Sequence, residues 1–168
     1  ATYGHVVRSQ PASVPPVATD PKCTEGVLLD YSEYINGYMI TGYTGSSKDV
    51  RIPPVSSYTN LPVKQIQTEA FRGKGLTSVI LPESIQTIRE YAFCYNQLKE
   101  VTIPEGVEYI GHNSFANNEL TNVNLPSTLK SISIGTFSDN RLASIILPDN
   151  VERIESSAFA NNFITHIL

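Results

Sequence analysis

The sequence has no tryptophan, one methionine, two cysteines and three histidines in 168 residues. Two cysteines are too few for a disulfide scaffold or a structural zinc site. Three scattered histidines leave little raw material for catalysis. Charge is sparse as well: Asp, Glu, Lys and Arg make up 17%, and the formal net charge is -4. A nucleic-acid binder would normally carry a basic stripe, so the composition argues against that class. An apolar share of 40% rules out a disordered acidic chain. No apolar run approaches the roughly 18 residues that span a bilayer, so no membrane span is expected. The length suits one domain with a real core, or a small domain with a tail.

What the chain does have is a strict internal period. Phe71, Phe93, Phe115, Phe137 and Phe159 follow one another at 22-residue steps. Leu76, Leu98, Leu120, Leu142 and Ile164 keep the same step, as do Pro82, Pro104, Pro126 and Pro148. Asn96, Asn118, Asn140 and Asn162 form a fourth register. Such ladders are the signature of stacked repeats, in which no single unit buries its own apolar face. Within one unit, Leu76, Val79 and Leu81 give the L-x-x-L-x-L spacing of a leucine-rich repeat. Val79 and Leu81 alternate, so a short strand points them into one core, and Pro82 ends it. Ile85 and Ile88 predict a second buried edge. Tyr91-Ala92-Phe93 predicts a short helical turn with Phe93 filling the centre of the coil. Asn96 stands where its amide satisfies backbone groups in the turn.

The period divides the chain. Residues 76–168 hold four regular repeats and a truncated fifth. Residues 50–75 form a degenerate first repeat: Val50-Arg51-Ile52-Pro53 resembles Val79-Ile80-Leu81-Pro82, with a seven-residue insertion around Pro54 to Pro62. Residues 23–49 carry two strand-like runs, Val27 to Tyr34 and Tyr38 to Tyr43, around Ile35-Asn36-Gly37, a hairpin signal. This hairpin is expected to cap the first coil, because solenoid ends need covering. Residues 1–22, with Pro11, Pro15, Pro16 and Pro21, read as a proline-rich linker or tail. No signal peptide is visible, and Ala1 is expected to be a mature N-terminus after its removal. The truncated last repeat should leave an uncovered coil open to end-to-end self-association.

The recurring L-x-x-V/I-x-L/I-P, then I/V-x-x-I, then A-F resembles the BspA-type leucine-rich repeat of bacterial and protozoan surface proteins. Gly42 to Pro53 is similar to the lead-in segment of many such arrays, and the resemblance covers about residues 26–168. Ser114 and Thr136 depart from it by replacing the alanine before Phe, and a cysteine common late in the family's repeats is missing. The resemblance implies a secreted or surface-attached binding protein, often an adhesin or host-interaction factor, and carries over no catalytic residues. The fold class expected is a β-rich solenoid: a right-handed leucine-rich-repeat array with short helical turns and an N-terminal β-hairpin cap.

No constellation of catalytic or metal-binding chemistry stands against this. His5, His112 and His166 are too scattered for a Ser-His-Asp or Cys-His set and read as solvated. Cys23 and Cys94 read as two free thiols or, in an oxidising compartment, a disulfide. Position 94 aligns with Arg72, Ala116, Ser138 and Ala160, which points to a place outside the core. Asp139-Asn140 and Asp149-Asn150 lack the periodic Gly-x-Asp of calcium-binding β-rolls and read as turn residues. Gly73-Lys74-Gly75 lacks the full phosphate-loop pattern and reads as a turn. No cofactor and no enzymatic activity are expected.

The candidate working surface is the outward side of the first strand in each coil: Ser78, Ile80, Glu100, Thr102, Asn122, Asn124, Ser144 and Ile146. This strip is flat, mostly polar and without aromatics. A lectin role is disfavoured there, because sugar sites want an aromatic platform. Apolar spots at Ile80 and Ile146 suit protein contact better, although the solvated side of any solenoid looks similar. The reading is therefore a non-catalytic extracellular or cell-surface module that binds a protein ligand on a host or neighbouring cell. The alternative is a structural spacer, or an accessory domain of a larger extracellular protein or enzyme.

Overall fold

The structure, a computed structural model, describes residues 24–56 and 59–168. The proline-rich segment, His5 and Cys23, and with it any Cys23–Cys94 pairing, lie outside the described residues. The chain opens with strands β1 (Val27–Ser32) and β2 (Gly37–Tyr43), then β3 (Asp49–Arg51) and β4 (Val63–Ile66). Each later coil contributes two short strands. These are β5 (Ser78–Ile80) and β6 (Thr87–Ile88), β7 (Glu100–Thr102) and β8 (Tyr109–Ile110), then β9 (Asn122–Asn124) and β10 (Ser131–Ile132). The array finishes with β11 (Ser144–Ile145), β12 (Arg153–Ile154) and β13 (His166–Ile167).

Coils stack through parallel pairing on two sides. On the second-strand side, Ile66 pairs with Ile88 and Ile88 with Ile110, and farther along Ile132 pairs with Ile154. On the first-strand side, Val50 pairs with Val79, Val101 with Val123 and Ile145 with Ile167. The partners Asp49 and Ser78 lie seven residues beyond the regular step. The surplus falls between β3 and β4, where an isolated antiparallel bridge joins Val55 to Pro62.

The antiparallel β1–β2 hairpin turns at Asn36, whose φ of 46° is a left-handed conformation that Asn tolerates better than most residues. Its second strand pairs in parallel with β4, Tyr38 opposite Val63 and Ile40 opposite Ile66, so the hairpin extends the second-strand sheet. At its end the Tyr43 ring meets Phe71 at 5.6 Å, tilted by 40°, and covers the first ring of the central stack.

That stack runs Phe71, Phe93, Phe115, Phe137, Phe159. Centroid spacings are 5.0, 5.2, 5.7 and 5.7 Å, and the planes lie within 13° of parallel. The first four rings are fully buried, with Leu76, Leu98, Leu120 and Leu142 beside them. Ile85 and Ile88 are also fully buried, which supplies the second apolar edge.

The asparagine register knits one coil to the next. Asn96 accepts the Leu76 N–H at 3.0 Å and donates to the carbonyls of Phe71 and Phe93 at 2.8 and 2.9 Å. Asn118 repeats this on Leu98, Phe93 and Phe115, and Asn140 on Leu120, Phe115 and Phe137. These three amides are buried, Asn162 at the same register is half-buried, and all four are satisfied, as a low-dielectric core demands.

Two local expectations are corrected. The turn carrying Phe93 is a pair of β-turns, closed by Ala92 N–H to Arg89 C=O and Cys94 N–H to Tyr91 C=O. Tyr91 has φ 57°, which stops right-handed helix from propagating, and no helix occurs among the described residues. Cys94 is inside rather than outside the core: it is 1% exposed, and Ala116 and Ser138 at its register are buried too. Burial pushes its thiol pKa up. Small side chains fit this inner position; Arg72 occupies it only in the first repeat, where it reaches out over the next coil.

Phe115→Ala is expected to cost about 3–5 kcal/mol in chemical denaturation, since it opens a gap between two stacked rings. A loss below about 1 kcal/mol would sink the stacked-spine account. Ser114 gives the opposite expectation. Its Oγ is buried without a hydrogen-bond partner, whereas Thr136 at the same register donates to Ser133 C=O at 2.8 Å. Ser114→Ala removes an orphaned hydroxyl and should stabilise the fold by about 1 kcal/mol. A destabilised variant would show that the hydroxyl finds a partner in solution.

Candidate binding face

The first strands alternate strictly. Val50, Val101, Val123 and Ile145 point inward and are buried, with Val79 half-buried. Ser78, Ile80, Glu100, Thr102, Asn122, Asn124, Ser144 and Ile146 point outward, and all eight are exposed. The inward apolar alternates dictate this, because a period of two sends neighbours to opposite sides of a strand. Register brings Glu100 beside Asn122 and Thr102 beside Asn124, whose amide donates to the Thr102 hydroxyl at 3.2 Å. Ser78 lies a coil away, tied to the Asp49 carboxylate at 2.6 Å.

The face is not one continuous ladder. Among the described residues, strand pairing joins β3 to β5, β7 to β9 and β11 to β13, but neither β5 to β7 nor β9 to β11. At the second of these breaks a shallow groove of about 290 Å³ opens, with Asn122, Asn124, Ser144, Ile146, Glu105 and Pro148 in its lining. The Glu105 carboxylate is held by the Ser127 N–H at 3.0 Å and hydroxyl at 2.7 Å. Four of the eight outward residues therefore share one concavity with amide, hydroxyl and apolar walls. Ile146, 70% exposed, is its most exposed apolar group.

Other candidate residues take structural places. His112 and His166 are exposed and lie on different coils. Asn140 spends its amide on buried backbone groups, and Asp139 accepts from the Asn161 amide at 2.8 Å. No group of three or more His, Cys, Asp or Glu able to hold a metal occurs among the described residues. Gly73 and Gly75 have φ of 65° and 66°, and the Lys48 ammonium binds the Lys74 carbonyl between them at 2.8 Å.

A second cluster escaped the sequence reading. It sits across the Phe-bearing turns and the adjoining second strands, away from the first-strand face. The Arg72 guanidinium lies 5.5 Å from the ring centroids of both Tyr91 and Tyr95 and ion-pairs with Glu69. Nearby, the Glu90 carboxylate accepts from the hydroxyls of Tyr109 at 2.7 Å and Thr68 at 3.2 Å. Partial burial works against the ionised Glu90. The hydrogen bonds from Tyr109, its own N–H and Thr68 outweigh that and hold its pKa below the usual value. A signal was present in the sequence: at the position of Tyr95 the other coils carry Gly73, Asn117, Asp139 and Asn161. Reading the period for its apolar ladders passes over that polar register.

Comparison with known proteins agrees with this architecture. Residues 60–168 match the family described as BspA type Leucine rich repeat region, in six copies. A leucine-rich repeat protein from Bacteroides ovatus is similar in structure at 22% identity and TM-score 0.50, over 86% of this chain and 52% of that one. The pneumococcal vaccine antigen PcpA is similar at 23% identity and TM-score 0.57, over 70% of this chain and 33% of that one. A leucine-rich repeat protein from Bacteroides capillosus is similar at 21% identity and TM-score 0.51, over 87% and 96%. At these identities the likeness is one of fold. The chain spans about half the length of the first protein and a third of the second. No curated protein matches it in sequence.

Tyr109 yields a pH expectation. Its phenol is pushed up to about 12, by burial first and then by the hydrogen bond and charge of Glu90. A raised folded-state value means that the contribution to stability is full below the ordinary phenol pKa of 10 and fades as the pH rises through about 12. In ultraviolet titration of the folded protein, the difference between the unmodified chain and Tyr109→Phe should therefore develop near pH 12. A difference centred at 10 would mean that neither the burial of Tyr109 nor its bond to Glu90 holds in solution.

Proposed function

The chain belongs to the BspA-type leucine-rich repeat family, and we propose that it is a non-catalytic binding module working outside the cell or at its surface. Its ligand is a protein on a host or neighbouring cell. The observation that carries the reading is the outward strip of the first strands. Eight exposed residues stand on a backbone that stacked rings and satisfied asparagines hold rigid, so the surface needs no ordering before it binds. The groove between β9 and β11 supplies what a flat strip lacks, a concavity with one apolar wall for a partner side chain. A vaccine antigen among the fold relatives supports a place outside the cell.

The strip is short. Coils at strand spacing advance about 4.8 Å each, so the face is roughly 20–25 Å long. A standard protein interface needs about 800 Å² per partner. Weak binding by this chain alone, and tighter binding in a longer array, follow from that.

The test is Asn122→Arg combined with Asn124→Arg, which crowds the groove with charge while touching only exposed side chains. Melting should stay within about 3 °C of the unmodified protein, because surface changes of this kind rarely exceed about 0.5 kcal/mol. Adhesion of protein-coated beads to cultured cell monolayers should fall at least several-fold. Intact folding with unchanged adhesion would place the contact elsewhere on the molecule. Unmodified protein that adheres no better than bare beads would favour the spacer reading.

A further inference from the structure

We propose that Tyr91, Tyr95 and the Arg72–Glu69 pair form a saccharide site, in which the tyrosine rings stack against the C–H face of a neutral sugar and the charged pair hydrogen-bonds its hydroxyls. The argument begins with backbone conformation. Tyr95 has φ 59°, and its equivalents in the other coils, Gly73, Asn117, Asp139 and Asn161, have φ between 55° and 65°. Glycine, asparagine and aspartate are the residues that tolerate this left-handed region; a bulky aromatic there is an outlier. Tyr91 stands in a second left-handed register, with Glu69, Asn113, Gly135 and Ser157. One coil therefore carries a large ring at both positions. Tyr95 is 54% exposed and Tyr91 36%, so part of each ring remains open to solvent. Backbone outliers of this kind cluster at binding surfaces.

The chemistry of the cluster selects the ligand. The Arg72 guanidinium lies 5.5 Å from the centroid of each ring, which places both rings around one cation. Its guanidinium carries five N–H donors, and Glu69 is the acceptor recorded on it, so donors remain for a ligand beside a carboxylate that accepts. The Arg72 and Glu69 charges cancel, which suits uncharged hydroxyls better than an anion. At Gly73, the neighbour of Tyr95 on the preceding coil, an added Cβ would meet nothing within 4 Å, so the approach to the Tyr95 ring from that side is open. The cluster is four side chains on two coils, whereas a standard protein contact takes about 20–30 residues a side. It lies apart from the first-strand face and stands or falls independently of it.

The test uses the whole chain in affinity electrophoresis through gels containing neutral polysaccharides: an amylose, a xylan, a mannan and a mixed-linkage β-glucan. With no tryptophan in the chain, tyrosine emission gives a second readout. At least one polysaccharide should retard the protein and shift its tyrosine emission. Tyr95→Asn copies Asn117 and Asn161, so its melting temperature should be unchanged or higher, while retardation weakens at least ten-fold. Tyr95→Phe keeps the ring and should keep the retardation. Tyr34→Ala, at a tyrosine 98% exposed on the hairpin turn, should behave as the unmodified chain. The proposal is overturned if none of the four polysaccharides retards the protein, or if Tyr95→Asn folds and is retarded as before. It is equally overturned if Tyr95→Asn lowers cell adhesion while no polysaccharide binds, which would make the cluster a protein contact.

Discussion

The buried asparagine amide is the interaction on which the rest of this solenoid depends. In each coil it closes one backbone donor of the preceding coil and two carbonyls beside the phenylalanine stack. Without it, the sharp turn after each Phe would leave backbone groups stranded in the core. With it, the Phe93 carbonyl receives an amide from its own coil and one from the next. The coils are thereby fixed at a spacing close to that of aromatic stacking. Apolar burial supplies the driving force, but it has no direction; the amides set the offset between coils.

That offset governs both surfaces. On the first-strand side, apolar alternates pull inward and leave a polar strip whose spacing the core dictates. Where pairing lapses between β9 and β11, the groove opens beside the strip. Across the Phe-bearing turns, the fixed spacing lets Arg72 of one coil lie against two rings of the next. It also leaves Cys94 beneath, buried and weakly acidic, a packing residue in place of the exposed thiol that its alignment with Arg72 had suggested.

The hairpin stands where a preceding coil would pack. β2 takes the place of a second strand, paired to β4, and Tyr43 takes the place of a phenylalanine, tilted over Phe71. A strand and a ring are thus both supplied on that side of the first coil. At the other end Phe163, Ile167 and Leu168 stand exposed, and the Phe159 ring is only partly buried.

The sequence by itself determined the period, and through it the coil, the inward residues, the asparagine ladder, the hairpin turn and the eight outward positions of the strand face. Each of these follows from a pattern local to one repeat: alternation in a strand, an Asn before a Leu, a Pro after one. Only the tertiary structure decided that Cys94 is buried, that Ser114 keeps an unsatisfied hydroxyl, that the strand ladder parts between β5 and β7 and between β9 and β11, and that Arg72 joins Tyr91 and Tyr95. These depend on how a side chain of one coil meets another 22 residues away, on rotamer, lateral offset and the room left by a neighbouring glycine. A period fixes which way a residue faces; it does not fix what the residue touches when it gets there.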